Sequence, residues 1–406
     1  MRNNNLNPIF LIANSSWYLS HYRKLLLKEL NYNKNYRLIT ISPIDSYTKE
    51  ISKFSLNIPW RISRSGNKNI FLLFISLLRL ILIFRTMKPK LVHSHTLKTN
   101  FLTSLVAFFF STPCIISFAG LGQISNSKGL KRFILLMIIK IMIFLSLREL
   151  KGNCIIKNYK RCSFIFQNKK DMNFIKNVIN IPNKNTNLIF GSGVPDNYIN
   201  ENKKNNWIYS EKHYSSNSNE IKLDFIYLSR LLKSKGILTF IQLANHYEFH
   251  NYSIYGVVDP SSSDSLNKQD INNFKLRNNN LHFHGLKKNP LLNQNYRYPI
   301  LLVPSIYGEG LPRGIIEAMA LHIPVISSQN ASCDLFDESL IYISKENSIN
   351  SYKNCISEVI KDFNSGKIKT KLKKGNEFVK KDLLESQVVK KTISIYQEME
   401  NINRNV

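Results

Sequence analysis

The sequence predicts an α/β protein built from two doubly wound, Rossmann-like domains. Its 406 residues are more than one ordinary hydrophobic core holds, so two domains are expected. Two series of short apolar runs, each alternating with helix-like segments, indicate two parallel sheets covered by helices. A polar stretch at 197–219, rich in Asn, Lys, Ser and Tyr, separates the two series and reads as an exposed connection.

The first series predicts an N-terminal domain over residues 1–196. Its predicted strands are 9–13, 37–42, 91–95, 114–118, 163–167 and 186–190. Its predicted helices are 18–30, 70–86, 100–110, 133–147 and the segment near 170–180. Residues 43–69 are mixed and polar, and no element is predicted there.

The second series predicts a C-terminal domain over residues 221–385, after the connection at 197–220. Its predicted strands are 223–228, 253–257, 281–284, 300–303 and 324–327, and its predicted helices are 235–246 and 312–321. Residues 259–280 are polar. The segment 351–400 is helical and charged, and residues 386–406 are expected to form a terminal helix or tail.

The charge balance is strongly basic. Lys and Arg number 56 against 27 acidic residues, a formal charge of +29. Such an excess attracts polyanions, either nucleic acid or an anionic membrane surface. We favour the membrane surface and expect no nucleic-acid partner, because no nucleic-acid-binding motif accompanies the charge. Part of the excess reflects a composition rich in Asn, Lys and Ile.

Cysteine usage points to a reducing cytoplasm. The five cysteines show no C-x-x-C spacing, which argues against a disulfide framework or a zinc site. The apolar run at 8–13 is too brief for a signal peptide. We therefore expect a cytoplasmic protein.

Two apolar stretches, 70–84 and 133–147, bear on membrane contact. Each is shorter than the ~20 residues that cross a bilayer, and each carries one basic residue. For 70–84 we favour a buried or half-buried helix of the α/β domain. For 133–147 an interfacial helix competes with burial, because basic residues flank both of its ends.

Glu309 and Glu317 form the most informative pair in the chain. A predicted strand precedes a loop that contains Glu309, and Glu317 lies in the helix that follows. A helix N-terminus offers backbone N–H groups and a positive dipole end, so it suits an anion. Two carboxylates beside it suit the hydroxyls of a sugar or a ribose. Alternatively, Glu317 is a surface charge paired with Arg313 at i−4.

Arg230 and Lys235 follow the predicted strand 223–228 at its carboxyl end, where doubly wound sheets bind ligands. Two cations there could stabilise the negative charge that develops on a leaving diphosphate. The guanidinium can chelate phosphate oxygens while the ammonium supplies a point charge. The alternative is a solvated basic turn, and the two glutamates downstream favour the phosphate role.

The block from Glu309 to Glu317, two glutamates with seven residues between them, resembles the retaining glycosyltransferases of family four. The resemblance implies their GT-B fold, two Rossmann-like domains that face each other across a cleft. The run 229–236 resembles the Arg and Lys motif of that family. Short motifs at 92–95, 120–122, 166–168 and 191–194 resemble the bacterial subgroup that builds O-antigen, capsule and other lipid-linked glycans. The likeness extends from near residue 9 to about 385.

The resemblance implies roles for the four charged residues. Arg230 and Lys235 would hold the leaving diphosphate, Glu309 would contact the donor sugar, and Glu317 the ribose. It also implies that the last helix packs back on the N-terminal domain. The chemistry would retain the anomeric configuration, without an established enzymic nucleophile.

Three further residues are expected in the donor nucleotide-sugar site. Gly285 looks like the strand-end glycine of the family. Gly310, with Gly308, lets the backbone approach a ligand without a Cβ clash. Leu311 offers a backbone N–H near the start of a helix.

On the acceptor side the candidates are His95, Gly120 and Gly122. His93 and His95 alternate on one strand end and so point the same way, but no third ligand is spaced to complete a metal site. We interpret them as cleft-lining residues, His95 being the better acceptor-side candidate, with a hydrogen-bonded structural pair as the alternative. The two glycines would lie beside the acceptor by resemblance, or form a simple tight turn.

The chain contains no D-x-D motif, the acid pair that holds a divalent metal in the other large sugar-nucleotide fold. We therefore expect no metal and no other cofactor. Two segments depart from the family pattern: 14–19 replaces a Gly-Gly loop, and 330–346 lacks the usual glycines. Nucleotide and phosphate contacts there are expected to differ, and activity could be reduced.

These observations lead to a first hypothesis, an enzyme at the inner face of the cytoplasmic membrane. It would move a hexose or N-acetylhexosamine from a UDP- or GDP-sugar to a polyprenyl-diphosphate-linked saccharide. The alternative is a non-catalytic basic protein that binds anionic membranes or nucleic acid on a decayed transferase scaffold. The intact set of Arg230, Lys235, Glu309 and Glu317 argues against decay. A sugar-nucleotide epimerase is a third and less favoured hypothesis.

Overall fold

The computed structural model describes residues 8–33, 36–62, 70–121, 124, 127–151, 154–201, 221–260, 262–292 and 296–404. Contacts divide the chain into two compact units. Unit 1 comprises the residues up to Ser192 together with those from Ser386 onward, and unit 2 comprises Gly193–Glu385.

A parallel sheet of seven strands forms the centre of unit 1 among the described residues. The strands of the unit are β1 (Pro8–Ile12), β2 (Arg37–Ser42), β3 (Leu56–Pro59), β4 (Leu91–His95), β5 (Cys114–Phe118), β6 (Arg148–Lys151), β7 (Cys154–Lys157), β8 (Cys162–Phe166) and β9 (Thr186–Leu188). The sheet order is β3-β2-β1-β4-β5-β8-β9, while β6 and β7 pair separately as an antiparallel hairpin. The order reverses between β1 and β4, the kind of switch point at which doubly wound sheets bind ligands.

The six predicted strands of this unit are all present. Every residue of β1, β4, β5 and β8 is buried, as expected for strands covered by helices on both faces, whereas β9 at the sheet edge is half-buried. Three strands were not predicted. β3 lies at the other sheet edge and is partly exposed, and β6 and β7 form a hairpin that is also partly or fully exposed, so all three lack a continuous apolar run.

The helices of unit 1 that precede unit 2 are α1 (Ser16–Tyr22), α2 (Lys24–Tyr32), α3 (Thr48–Ile51), α4 (Ile70–Met87), α5 (Leu97–Phe109), α6 (Gly129–Ser146) and α7 (Lys169–Val178). The single helix predicted at 18–30 is therefore two helices. Arg23 ends α1 in a non-helical conformation (φ −134°, ψ 12°). Its guanidinium turns back into the protein and donates to the Tyr18 hydroxyl at 3.3 Å, so a polar contact breaks an otherwise continuous helical pattern.

The two apolar stretches correspond to α4 and α6. Both are half-buried helices, since one side of each joins the sheet core and the other carries exposed apolar side chains. Among the described residues, no helix has the length and apolar character needed to cross a membrane.

Unit 2 is built on a second parallel sheet, of six strands among the described residues. They are β10 (Asp224–Leu228), β11 (Asn251–Tyr255), β12 (Leu281–Gly285), β13 (Pro299–Val303), β14 (Val325–Ser328) and β15 (Tyr342–Ser344), in the order β12-β11-β10-β13-β14-β15. The order reverses between β10 and β13. This adjacency places the loops that follow these two strands at the same point of the sheet edge.

The remaining helices are α8 (Asn197–Glu201), α9 (Ile237–His246), α10 (Lys268–Arg277), α11 (Arg313–Ala320), α12 (Ile349–Asn364), α13 (Ile368–Asp382) and α14 (Glu385–Arg404). The interpretation of 197–219 as an exposed connection is wrong at its start, because α8 is helical and its Tyr198 is buried. Residues 202–220 lie outside the described residues. Helix α10 was missed, although Asn267 and Asp270 form the capping box that begins it.

The end of the chain belongs to unit 1. Val388, Ile395, Tyr396 and Met399 of α14 join a core cluster with Ile9 and Leu11 of β1 and residues of α1 and α2. The predicted helical segment at 351–400 is thus three helices, α12, α13 and α14, and the last of them packs on the first sheet.

Candidate functional site

Two loops of unit 2 meet where β10 and β13 end. The backbone N–H of Ile306 donates to the Ser234 carbonyl at 2.9 Å, which joins the loops directly. Gly236 has φ +76°, and a Cβ atom there would lie 1.9 Å from the Pro304 carbonyl oxygen. Only glycine permits this close approach of two backbones.

The contact between the loops brings Lys235 and Glu309 together. The Lys235 ammonium forms a short ion pair with the Glu309 carboxylate, and both side chains are mostly buried. Glu309 also accepts a hydrogen bond from the Ser305 hydroxyl at 2.9 Å. The ammonium lies 5.1 Å from the centroid of the Tyr307 ring, a cation–π contact. Two residues 74 positions apart in sequence thus form one charged centre.

Asp264 holds the turn that carries Lys235. The short 3₁₀ turn Lys233–Lys235 precedes α9. The Asp264 carboxylate accepts from the backbone N–H of Ser234 at 3.1 Å and also from the Ser234 hydroxyl, and the Asp264 carbonyl accepts from the Lys233 N–H at 2.9 Å. The sequence analysis missed this residue, because it lies in a polar loop with no motif around it.

Arg230 has a different carboxylate partner. Its guanidinium contacts Asp259 at 2.6 Å, with the Arg230 side chain 45% exposed. The Arg230 carbonyl accepts from the buried Tyr227 hydroxyl at 3.0 Å. Burial raises the pKa of Tyr227, and the Glu309 charge adds to the shift while the Arg230 charge opposes it. Tyr227 therefore lies within electrostatic reach of both charged groups, and sequence analysis identified neither it nor Asp259.

Glu317 lies on α11 and pairs with Arg313, one turn earlier, at 2.7 Å. The predicted i−4 pair is confirmed, but it is not a surface pair, because the Glu317 side chain is only 14% exposed. Burial raises the pKa of Glu317, and the Arg313 guanidinium opposes that shift. Tyr198 of α8 is the neighbour that sequence analysis missed. Burial and the Glu317 charge raise its pKa.

The predicted backbone contributors occupy loops around this centre. Gly310 and Leu311 are half-buried and lie just before α11, whose N-cap is Pro312. Gly285 ends β12 with φ +67°, and its carbonyl accepts from the Gly256 N–H at 3.0 Å. Gly256 was not predicted as part of the site. A Cβ at this position would lie 1.8 Å from the Ser229 carbonyl oxygen, so only glycine fits there.

The acceptor-side residues lie in unit 1, where the two histidines are buried in its core. The His93 ring contacts the Tyr396 hydroxyl of α14 and the Ser117 hydroxyl of β5, both at 2.7 Å. This bears out the alternative of a hydrogen-bonded structural role for His93. The His95 ring, 4.2 Å from that of His93 between centroids, is fully buried. Its acceptor-side role stays a prediction.

Around His95 the polar contacts are sparse. Its Nδ1 lies 3.5 Å from the Tyr18 hydroxyl, and its buried Nε2 has no hydrogen-bond partner among the described residues. Gly120 is half-buried after β5, with φ +107°. Gly122 lies outside the described residues.

We expect the free energy of unfolding of unit 1 to fall in acid, because His93 and His95 are buried. Burial and the Arg23 charge hold the pKa of His93 well below its ordinary value, and burial, His93 and Arg23 do the same for His95. An unfolded histidine titrates near about 6.5, so below that pH the unfolded chain binds more protons and stability falls. Each neutral buried histidine contributes a loss of about 1.4 kcal/mol per pH unit.

Urea denaturation followed from about pH 7 to about pH 5 measures this slope. We expect His95→Gln to make the slope shallower, and exposed His246, changed to Gln, serves as the matched control. A slope that His95→Gln leaves unchanged would contradict the assignment.

No cluster of three or more His, Cys, Asp or Glu side chains that could hold a metal ion occurs within the described ranges. Unit 2 carries two cations, Arg230 and Lys235, each paired with a carboxylate, and a separate, mostly buried carboxylate, Glu317, on α11. Such an arrangement can bind phosphate oxygens through its cations and hydroxyl groups through its carboxylates.

Residues 209–374 match the family model described as glycosyl transferases group 1. This range lies within unit 2 and contains Arg230, Lys235, Glu309 and Glu317, so the part of the chain that carries these four residues is similar to that family. One relative, the capsular polysaccharide biosynthesis glycosyltransferase CapM of Staphylococcus aureus, is 26% identical over 294 residues. The alignment covers 70% of this chain and 70% of CapM.

Two solved structures share the fold over nearly the whole chain. Sucrose-phosphate synthase of Thermosynechococcus elongatus superposes with a TM-score of 0.71 at 17% sequence identity. The superposition covers 97% of this chain and 99% of the synthase chain. Anabaena Alr3699/HepE in complex with UDP has a TM-score of 0.70 at 13% identity, covering 96% and 99%. The prediction of an α/β protein with the GT-B fold is confirmed.

Proposed function

We propose that the protein is a retaining glycosyltransferase that moves a hexose or N-acetylhexosamine from a UDP- or GDP-sugar to a polyprenyl-diphosphate-linked saccharide in surface polysaccharide assembly. The observation that carries this proposal is the contact of Lys235 with Glu309 in the loops that follow β10 and β13, inside the range that matches the glycosyl transferases group 1 model. Doubly wound sheets bind ligands at such a switch point. There a cation can bind the phosphate and a carboxylate can bind the sugar, the two groups joined by the bond that breaks.

Lys235 and Arg230 would bind the diphosphate of the donor. As the bond between the anomeric carbon and the phosphate oxygen breaks, charge develops on that oxygen, and cations fixed in place stabilise this state more than the ground state. The acceptor hydroxyl forms the new bond on the same face of the sugar, and its proton passes to the leaving diphosphate. Glu309 and Asp259 hold the two cations in position, the first through a mostly buried contact.

The carboxylates of Glu309 and Glu317 would accept hydrogen bonds from hydroxyl groups of the donor. The Glu309 carboxylate lies beside the diphosphate-binding cation, where a donor sugar would be. Glu317 would accept from the ribose, and its ion pair with Arg313 opposes the rise in the pKa of this carboxyl that burial causes. Gly285, Gly310 and Leu311 would contribute backbone contacts to the donor.

Two similar proteins support a nucleotide-sugar donor and a role in surface polysaccharide assembly. HepE is a protein of this fold that binds UDP, and CapM is a glycosyltransferase of capsular polysaccharide biosynthesis. On the acceptor side, His95 and the two glycines at 120 and 122 are the proposed contributors. A lipid-linked acceptor requires peripheral contact with the inner face of the cytoplasmic membrane, which the charge of +29 favours.

A donor screen tests the proposal. Purified protein is incubated with UDP- and GDP-sugars and a lipid-linked saccharide extract, and nucleoside diphosphate release and the anomeric configuration of the product are measured by NMR. We expect transfer from one donor with retention, and we expect EDTA to leave the rate largely intact because two cations serve the leaving group. Inversion, loss in EDTA restored by Mg²⁺ or Mn²⁺, or epimerised sugar nucleotide without transfer would each contradict a stated part of the proposal.

A further inference from the structure

The outer side of α4 is apolar and exposed. Phe71, Phe74, Leu78 and Leu82 are each between 45% and 68% exposed, and their spacing places them on one stripe of the helix. The opposite stripe, with Leu80 and Phe84 among its members, is buried in the sheet core. A helix with apolar residues all round is ordinarily buried all round. In α4 the stripe that faces the sheet is buried, while the outer stripe is exposed.

Helix α6 repeats this arrangement. Phe133, Met137, Ile141 and Phe144 are exposed along one stripe, while Ile139 and others on the opposite stripe join the same core cluster as α4. The two helices flank α5, which packs against both. Because both turn their inner stripes to one core, both outer stripes face away from the sheet.

The stretch of sequence that contains both helices carries charged side chains of one sign. Residues 51–148 contain 14 Lys and Arg and no Asp or Glu. Exposed members lie on or directly beside the apolar stripes, namely Arg79 and Arg85 on α4 and Lys131, Arg132 and Lys140 on α6. Apolar stripes surrounded by cations match a bilayer surface, which offers acyl chains under anionic headgroups.

We propose that α4 and α6 together form a docking surface for an anionic lipid bilayer, in which both helices lie along the membrane and insert their exposed apolar stripes. Helix α4 is thus a membrane-contacting helix as well as a core helix. A second copy of the chain fits the surface less well, because it would bring two unscreened sets of cations together. The inference rests on the proposed function and deepens it by assigning the surface that contacts the membrane.

Vesicle flotation tests the α4 stripe directly. Wild type is expected to float with vesicles of phosphatidylglycerol and phosphatidylcholine in equal amounts and to bind pure phosphatidylcholine weakly. Phe74→Gln with Leu78→Gln should lower the partition constant at least about 10-fold, since two apolar side chains no longer insert. The matched control is Phe249→Gln with Leu276→Gln, the same change at exposed positions of unit 2, which should bind like wild type.

A second pair of variants isolates the charge. Lys131→Gln with Arg132→Gln should weaken binding to anionic vesicles at low salt, and added salt should reduce that difference. Lys373→Gln with Lys374→Gln removes the same charge from an exposed face of unit 2 and should have a smaller effect.

Flotation needs no turnover, so its outcome is separate from that of the proposed transferase activity. Absence of wild-type binding to anionic vesicles, or equal binding by the α4 variant and its control, would overturn the proposal. So would a dimer in solution that the α4 changes dissociate, because the stripes would then be an interface between copies. Circular dichroism of each variant confirms that it is folded.

Discussion

Replacing Lys235 with alanine is expected to lower kcat/KM by about 10²-fold or more. In the proposed function the ammonium stabilises charge that develops as the donor bond breaks, and removal of one such fixed group typically costs a few kcal/mol of transition-state stabilisation. The substitution also leaves the mostly buried Glu309 carboxylate without its counter-ion, so a loss of thermal stability is expected as well, and activity is measured well below the Tm of the variant. Release of nucleoside diphosphate from the preferred donor measures the effect.

Lys233→Ala is the matched control. Lys233 lies two residues earlier in the same 3₁₀ turn, is exposed, and has no assigned role. Its loss removes an equal charge and should leave kcat/KM within about 2-fold of wild type. Similar losses in both variants would mean that general positive charge, rather than the position of Lys235, supports the reaction.

Gly236→Ala is expected to destabilise unit 2 by about 3 kcal/mol or more and to abolish activity. A left-handed conformation alone costs a non-glycine residue about 1–2 kcal/mol, and here the new Cβ would also collide with the Pro304 carbonyl. The two loops would have to separate, which moves Lys235 away from Glu309. Urea denaturation and the nucleotide-release assay report the two effects.

Gly366→Ala serves as a control that has the backbone strain of a positive φ but no steric clash of the new Cβ. Gly366 has a similar φ of +71°, but nothing lies within 4 Å of the position its Cβ would take. It should cost only about 1 kcal/mol and leave activity intact. If Gly236→Ala costs no more than Gly366→Ala, then the close approach of the loops does not hold the site together.

The predicted strands were found because parallel strands between two helix layers are apolar on both faces. β1 and β13 show this, since almost all of their residues are apolar and buried. β3 and the β6–β7 hairpin are exposed and short, so nothing in their composition distinguishes them from loops. The break at Arg23 depends on a contact of a buried guanidinium, which periodicity does not report.

The sequence singles out four charged residues, whose functional roles stay predictions, but it does not identify the side chains that contact them. Arg230, Lys235, Glu309 and Glu317 stand out by their motif, and the order of the strands explains why two of them meet. Their partners carry no local signal. Asp259 and Asp264 come from a polar loop after β11, and Tyr198 from a segment whose composition indicates a connection. Such pairings depend on contacts distant in sequence, which a single sequence does not reveal.

Isothermal titration of the purified protein with UDP and GDP tests the central claim, a donor site in unit 2, most directly. We predict one site for one of the two nucleotides. Its affinity should fall at least about 10-fold in Glu317→Ala, which would remove the proposed ribose contact, and in Lys235→Ala, which would remove the proposed diphosphate contact. Lys233→Ala should bind like wild type. Absence of binding to both nucleotides, or equal affinity in wild type and the two site variants, would contradict the account.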